Sequence, residues 1–364
     1  MTLNNMVTLH RTSFATENST ANHLLHVTND DREAEVNTGY SEQILGTTIT
    51  LGCIGFFGLI GNLLVIMIYG FKSKHTTNRI FFVGLAMTDM LVCIITLPSE
   101  IIELNNDDIF EQEYVCKISY FLTYTFVIGS ALTLIPLSVD RYNRICKPFQ
   151  PQWQPTNAVT RVCVVYALAV VFSLPNLLIR GLQFHTSDAN VTEQYCMFAE
   201  NYVNTWISLS YNSFIFLIPL VTIIILSIIY ILIGKNIIAH NRFRNQFRKY
   251  TVSTVCSEND TTDKKVQRDT SAYRITKIAF IIVVTFFVSY VPTAGLKLYE
   301  AVFGLEPYST SKFTIMLLTF RFSYLLNHVV NPFAYGILDI KFRKKIALLF
   351  HIKKTSSHEE SYEL

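Results

Sequence analysis

Acidic side chains recur at helical spacing inside one long apolar stretch of the chain. Between residues 78 and 103, Asp89, Cys93, Thr96, Glu100 and Glu103 fall on one helical face. A carboxylate inside a membrane span is energetically expensive, so it indicates a functional site by default. The alternative, a neutral buried acid that only packs, stays open. This face is the first candidate for a functional surface.

A second apolar stretch begins at Cys116 and ends in the charged triplet Asp140-Arg141-Tyr142. Cys116 and Arg141 are 25 positions apart. A helix of that length rises about 37 Å, which exceeds a bilayer core of about 30 Å. The cysteine and the triplet can therefore lie at opposite faces of a membrane. Asp140 can hold Arg141 as an adjacent ion pair, and a simple interfacial anchor is the less favoured alternative.

Composition places the chain among membrane proteins that cross the bilayer several times. Half of its 364 residues are apolar and only 16% are charged. Seven stretches are long enough to span, at about residues 44–70, 78–103, 116–145, 159–179, 204–233, 273–299 and 311–337. Most of the Lys and Arg residues fall on one side of these spans, which predicts an N-terminus outside and a C-terminus in the cytosol.

The spans divide the chain into an extracellular tail (1–43), a seven-transmembrane bundle (44–338), a short amphipathic juxtamembrane helix (339–350) and a cytosolic tail (351–364). The predicted fold is thus an all-α membrane protein whose last helix lies on the anionic inner leaflet. Asn18 and Asn190 begin glycosylation acceptor sequences on the outer side. Cys116 and Cys196 are the two cysteines predicted to face outside, where disulfides persist.

Landmark residues fall one per span and in order, except in the fourth span. They are Asn62, Leu85-Ala86-x-x-Asp89, Cys116 with Asp140-Arg141-Tyr142, Pro219, Pro292 and Asn331-Pro332-x-x-Tyr335. By this set the chain resembles the rhodopsin-like G-protein-coupled receptors over about residues 44–350. The fourth span lacks the tryptophan usual in that family, and Tyr166 lies nearby.

The resemblance implies a plasma-membrane receptor that activates heterotrimeric G proteins and has arrestin as a further cytosolic partner. It implies a disulfide between Cys116 and Cys196. The residues that it places at the G-protein interface are Asp140, Arg141, Tyr142 and Phe149. The residues that it places in the activation core are Asn62, Asp89, Phe286, Pro292, Asn331, Pro332 and Tyr335.

Two positions depart from the family pattern in ways that bear on activation. Ser289-Tyr290 stand where relatives have Cys-Trp, so Tyr290 is expected to be the aromatic toggle, with a plain packing ring as the alternative. Ala272 stands where many relatives carry an acid that faces Arg141, so an inter-helix ionic lock is doubtful. This departure predicts raised basal activity.

An allosteric sodium ion is the one cofactor that the resemblance suggests. The residues that match the family's sodium pocket are Asp89, Ser130, Asn327 and Asn331, and hard oxygen ligands suit such a cation. His328 replaces a residue that usually carries a small hydroxyl. Whether sodium binds therefore stays open at this stage.

The sequence lacks the residues with which two classes of relatives bind their ligands. Thr123 stands where aminergic relatives have an Asp, and Leu325 stands where opsins have a Lys, so amine and retinal ligands are disfavoured. The acids near the outer ends of the spans, among them Glu100 and Glu103, favour a basic peptide of the neuropeptide kind. The predicted contacts are Glu100, Glu103, Thr123, Tyr124, Tyr290, Lys297 and Arg321. Internal pairing of Arg321 with Glu100 remains an alternative, as does a lipid or another small molecule.

Other classes of protein fit less well. Intramembrane charges would suit a transporter or channel, but seven spans without an inverted repeat or paired broken helices argue against one. The sequence contains no His-Glu-x-x-His and no Gly-x-Ser-x-Gly motif, so we expect no enzyme activity. Nothing in the pattern indicates a nucleic-acid partner, and the bilayer is the expected environment.

Overall fold

The long apolar runs fold as helices because lipid offers no hydrogen-bond partners to an open backbone. The computed structural model describes residues 42, 44–71, 76–105, 112–186, 192–203, 205–251, 261–303 and 311–349. Over these residues, six helices are long and apolar enough to cross a membrane: α1 (Ile44–Phe71), α2 (Thr77–Leu104), α3 (Glu113–Cys146), α4 (Pro155–Ile179), α5 (Trp206–Thr251) and α6 (Thr261–Phe303).

The seventh apolar stretch forms α7, at residues 311–338, and it is not one regular helix. Ser311–Phe322 and Asn327–Leu338 are α-helical, and a 3₁₀ turn at Ser323–Leu326 joins them. Neither half is long enough to span the membrane alone. Together they match the predicted seventh span. The 3₁₀ turn between them is a local departure from α-helical geometry. The helix α8 (Ile340–Leu349) follows directly.

A proline in α7 explains one contact between the first and last spans. Pro332 has no backbone N–H, so the carbonyl four residues earlier, at His328, lacks its helical donor. The Asn62 side chain donates to that carbonyl at 2.9 Å, and also to the Gly58 carbonyl of its own helix at 2.9 Å. The Asn62 side chain therefore bonds across to α7 and back to its own helix at the same time.

The helix α3 lies at the centre of the bundle, in contact with α2, α4, α5 and α6. It packs tightly against α4 at Gly129, where an added methyl group would meet the Tyr166 ring at 2.5 Å. Tyr166 in turn hydrogen-bonds the Thr88 hydroxyl on α2. Tyr166 thereby ties α2, α3 and α4 together in a span that lacks the tryptophan of the family.

An antiparallel hairpin covers the outer end of α3. Its strands are β1 (Arg180–Thr186) and β2 (Thr192–Phe198), paired from Arg180 with Phe198 to Thr186 with Thr192. The disulfide that the resemblance implied between Cys116 and Cys196 is present, with Cα atoms 5.6 Å apart, and it confirms that prediction. The hairpin is therefore fixed over the bundle at one point of β2.

The segment between the fifth and sixth spans differs from the sequence-based expectation. The fifth helix continues beyond its predicted span to Thr251. The stretch 261–272, expected to be loop, is instead the start of α6. A polar helix outside the bilayer needs no apolar face, so hydropathy gives no signal for it.

The helix α8 is tied to α1 at the cytosolic side. Tyr69 of α1 donates a hydrogen bond to the Asp339 carboxylate at 2.5 Å, and its ring stacks on Phe342 with centroids 5.5 Å apart. The Tyr335 ring packs edge-on against Tyr69 at 5.7 Å. This aromatic cluster sets the direction in which the chain leaves the bundle.

Candidate functional site

The outer end of the bundle brings two acids of α2 against one arginine of α7. Arg321 donates to Glu103 at 2.6 Å and lies 3.9 Å from Glu100. Tyr324 donates to Glu100 at 2.8 Å, and the Tyr120 hydroxyl lies 3.3 Å from Glu103. We call these five residues the acidic cluster. Its ion pairs are the internal arrangement that the sequence left as an alternative, except that the shorter bond is to Glu103.

The structure describes the side chains of some of the other predicted ligand contacts but not of all of them. Tyr124 lies beside Tyr120, with ring centroids 6.2 Å apart. Thr123 is half-buried on the same helix, and no hydrogen bond of its side chain is seen among the described residues. The Lys297 side chain lies outside the described part of the chain, as do Asn18 and Asn190.

Sequence reasoning missed Arg180, which begins β1 directly above α4. Its guanidinium lies between the Tyr120 and Phe198 rings, 4.1 and 4.2 Å from their centroids. It donates to Asn176 and to Tyr124, both at 3.4 Å. The available signal was a cation at the outer end of a span, which is normally a simple interfacial anchor. Arg180 is therefore a second cation beside the acidic cluster, which it contacts through the Tyr120 ring.

Tyr290 connects the outer site with the core beneath it. Its ring centroid is 6.3 Å from that of Tyr324 and 4.4 Å from that of Phe286. Glu100, Tyr324, Tyr290 and Phe286 therefore form an unbroken chain of contacts from the outer surface to the buried centre. The hydroxyl of Tyr290 is buried there without a hydrogen-bond partner among the described residues, and its role as an aromatic toggle remains a prediction.

The polar core of the bundle is built around Asp89, which is completely buried. One carboxylate oxygen accepts from His328 Nδ1 at 2.7 Å and from the Ser130 hydroxyl at 3.4 Å. The other accepts from the Asn331 amide at 2.6 Å. Asn327 is buried one helical turn before Asn331, and its side-chain amide has no partner within the described residues. Three of the four predicted sodium ligands, Asp89, Ser130 and Asn331, are thus joined by hydrogen bonds, but His328 is bonded to the same carboxylate.

The C-terminal end of α3 carries the charged triplet. Asp140 and Arg141 are both 1% exposed and form a hydrogen-bonded ion pair. Arg144 donates to the same carboxylate oxygen at 3.0 Å, and to the Thr77 hydroxyl of α2 at 3.1 Å. The adjacent ion pair that the sequence suggested is therefore present, and its role in holding the receptor at rest remains a prediction.

The other residues assigned to G-protein contact and to activation fall in two groups. Tyr142 is half-buried, whereas Phe149 is fully exposed in the turn between α3 and α4. Pro332 and Tyr335 are buried in α7, and Pro292 lies inside α6. The exposed aromatic side chain is accessible to a partner, while the buried residues can only act by moving with their helices.

These observations define a seven-helix membrane receptor, with a polar site at one end, a buried polar core and a charged triplet at the other end. The family model described as 7 transmembrane receptor (rhodopsin family) matches residues 61–335. The chain therefore belongs to the rhodopsin family of seven-transmembrane receptors, a family of G-protein-coupled receptors rather than of enzymes, and it is a multi-pass plasma-membrane protein.

Three relatives show the same kinship across most of the chain. The bombesin receptor subtype-3 of Ovis aries is 27% identical over 92% of this chain and 82% of its own length. The C3a anaphylatoxin chemotactic receptor of Danio rerio is 28% identical over 86% of this chain and 78% of its own. A bombesin receptor of Bombina orientalis is 28% identical over 84% of this chain and 75% of its own length.

Proposed function

We propose that the protein is a receptor for an extracellular basic peptide and that it activates heterotrimeric G proteins. Its N-terminus lies outside the cell and its C-terminus in the cytosol, and arrestin is a further cytosolic partner. The observation that carries the proposal is the acidic cluster, in which two carboxylates face one guanidinium. The names of the relatives, which refer to bombesin and to the C3a anaphylatoxin, support a peptide-type ligand.

The cluster suits a cationic side chain for an electrostatic reason. A Lys or Arg of the ligand competes with Arg321 for Glu103, so an existing ion pair is exchanged for a new one. Arg321 is 40% exposed, and such a pair contributes only about 1 kcal/mol or less. A ligand cation can therefore replace it at low cost, and the negative field of the cluster speeds its arrival.

The signal then passes inward along aromatic contacts. A ligand that displaces Tyr324 from Glu100 moves the ring that packs on Tyr290, and Tyr290 moves Phe286. The cytosolic ends of α5 and α6 move outward, and Arg141 leaves Asp140 to contact the G protein together with Phe149. The ligand drives this change only to the extent that it binds the active arrangement more tightly than the resting one.

The test is guanine-nucleotide exchange on a panel of G proteins, in membranes that contain the full chain. The probe is a pool of basic amidated peptides, with a pool of lipids run in parallel. We expect exchange with the peptides, and about a tenfold higher half-maximal concentration for Glu100→Gln or Glu103→Gln, since one charged contact is worth about 1.4 kcal/mol.

Glu113→Gln is the matched control. Glu113 is also an acid at the outer end of a span, but it pairs with Lys117 at 2.7 Å and its side chain is 57% exposed. Its replacement should leave the peptide response unchanged. A response to the lipid pool alone would replace the peptide proposal with a lipid receptor. No exchange with any ligand, despite normal surface expression, would count against G-protein coupling and favour a transporter.

A further inference from the structure

The buried carboxylate at the centre of the bundle does not fit the sodium ion that its family resemblance suggests. A hard cation of sodium's size lies about 2.3–2.6 Å from each oxygen ligand and needs several oxygens with free lone pairs. Asp89 is the one charged ligand among the four matching residues, so it must face the ion. The contacts of its two oxygens therefore decide whether the site fits.

Both oxygens of Asp89 already accept hydrogen bonds from donors. His328 Nδ1 is 2.7 Å from Oδ1, and the Asn331 amide nitrogen is 2.6 Å from Oδ2. The Ser130 hydroxyl adds a second donor to Oδ1 at 3.4 Å. An N–H group directs its positive end at the oxygen, so it repels a cation from the same position. The imidazole nitrogen thus stands where a cation on Oδ1 would lie.

The remaining oxygens cannot hold the ion without the carboxylate. The side-chain oxygens of Asn327 and Asn331 are buried and accept no hydrogen bond within the described residues. They are neutral amide oxygens, and a cation stripped of its water needs a charged partner in so dry a place. They are nevertheless suitable ligands in kind, because hard cations prefer oxygen.

We propose that His328 takes the place of the sodium ion, so that this receptor does not bind sodium at Asp89, and that removing the ring opens the site. His328→Ser frees Oδ1 of Asp89 and supplies a hydroxyl oxygen next to the amide oxygens of Asn327 and Asn331. The His328 backbone carbonyl, which accepts from Asn62, is kept in this variant. The contact between α1 and α7 therefore survives the substitution.

The test measures the melting temperature of the purified full chain in NaCl and in KCl, at the same ionic strength of about 0.15 M so that screening is equal. We expect the same melting temperature in both salts for the wild type. For His328→Ser we expect a value about 2 °C higher in NaCl when the sodium concentration is about ten times the dissociation constant of the opened site. Asp89→Asn in the same background should remove that difference.

Two results would overturn the proposal. One is a wild type that NaCl stabilises more than KCl does, because sodium would then bind with the imidazole in place. The other is a folded His328→Ser variant whose melting temperature is the same in both salts. His328→Thr, which also supplies a hydroxyl, is the second variant if the first does not fold. No agonist is needed, so the result is independent of the proposed peptide ligand.

Discussion

The ion pair at the cytosolic end of α3 allows a prediction of how firmly the resting state is held. Asp140 and Arg141 are each 1% exposed, so the guanidinium has lost its water and depends on the carboxylate. Asp140→Asn keeps the shape and removes the charge. Because activation is proposed to separate Arg141 from Asp140, the substitution weakens the resting state more than the active one.

The size of this effect follows from the burial of the pair. Removing one partner of a buried ion pair costs about 3–5 kcal/mol. An asparagine retains a hydrogen-bond acceptor for Arg141, so we take half of that range, about 1.5–2.5 kcal/mol, as the loss that the resting state suffers. Each 1.4 kcal/mol is a factor of about ten in an equilibrium constant. The ratio of active to resting receptor should therefore rise about 10- to 70-fold.

The assay is agonist-free nucleotide exchange at matched surface expression. Asp140→Glu retains the charge and should change basal exchange little. Arg144→Gln removes the other cation on Asp140, but Arg144 is 31% exposed, and a partly exposed pair contributes about 1 kcal/mol or less. Its effect should thus stay below about fivefold.

Basal exchange that does not rise in Asp140→Asn, with expression intact, would refute the idea that this pair restrains the receptor. The pair matters more here because residue 272 is alanine, where many relatives place an acid facing Arg141. The side chain of Ala272 lies outside the described residues, and the raised basal activity predicted from it remains a prediction. High exchange in the wild type with no further rise in the variant would show that restraint is already lost.

Two further predictions concern stability. Gly129→Ala should lower the melting temperature by an amount equivalent to about 1–3 kcal/mol, because its methyl group would meet the Tyr166 ring at 2.5 Å. Gly84→Ala, whose methyl group would lie at an ordinary 3.5 Å from its neighbour, is the control, and equal melting temperatures for the two variants would contradict the packing argument. Cys196→Ser opens a loop closed over a separation of 80 residues, worth about 4.5 kcal/mol in the chain-entropy account. We expect a strong loss of receptor at the cell surface for Cys196→Ser alone and for Cys196→Ser combined with Cys116→Ser. Normal surface amounts of the single variant would show that the hairpin stays in place without the disulfide.

Much of the fold could be predicted because the bilayer restricts what a spanning segment can be. Apolar length alone located the spans, and the family landmarks implied the disulfide that the structure contains. The hairpin β1–β2 carried no comparable signal, since its residues lie outside the membrane and show no apolar run. The helical start of α6 at Thr261 was missed for the same reason.

The site was harder to predict because its bonds join residues far apart in sequence. Helical spacing put Glu100 and Glu103 on one face, but periodicity within a helix cannot say which acid is nearer to Arg321 on α7. The structure pairs the arginine mainly with Glu103. Arg180 was missed because its role depends on rings contributed by α3 and β2. Contacts of this kind depend on how whole helices and strands are placed, which local pattern does not determine.

Position 328 shows how one residue can hold two separable roles that sequence pattern does not reveal. Its carbonyl accepts from Asn62 because Pro332 cannot donate to it, so this contact depends on the backbone and on two family landmarks. Its imidazole donates to Asp89, so that contact depends on the side chain alone. A substitution at this position therefore removes the imidazole partner of the Asp89 carboxylate and leaves the hydrogen bond between α1 and α7 intact. If His328→Ser instead lost the contact between α1 and α7, the residues of the polar core would depend on one another. The replacement of the imidazole by a sodium ion could then not be tested separately from the packing of α7.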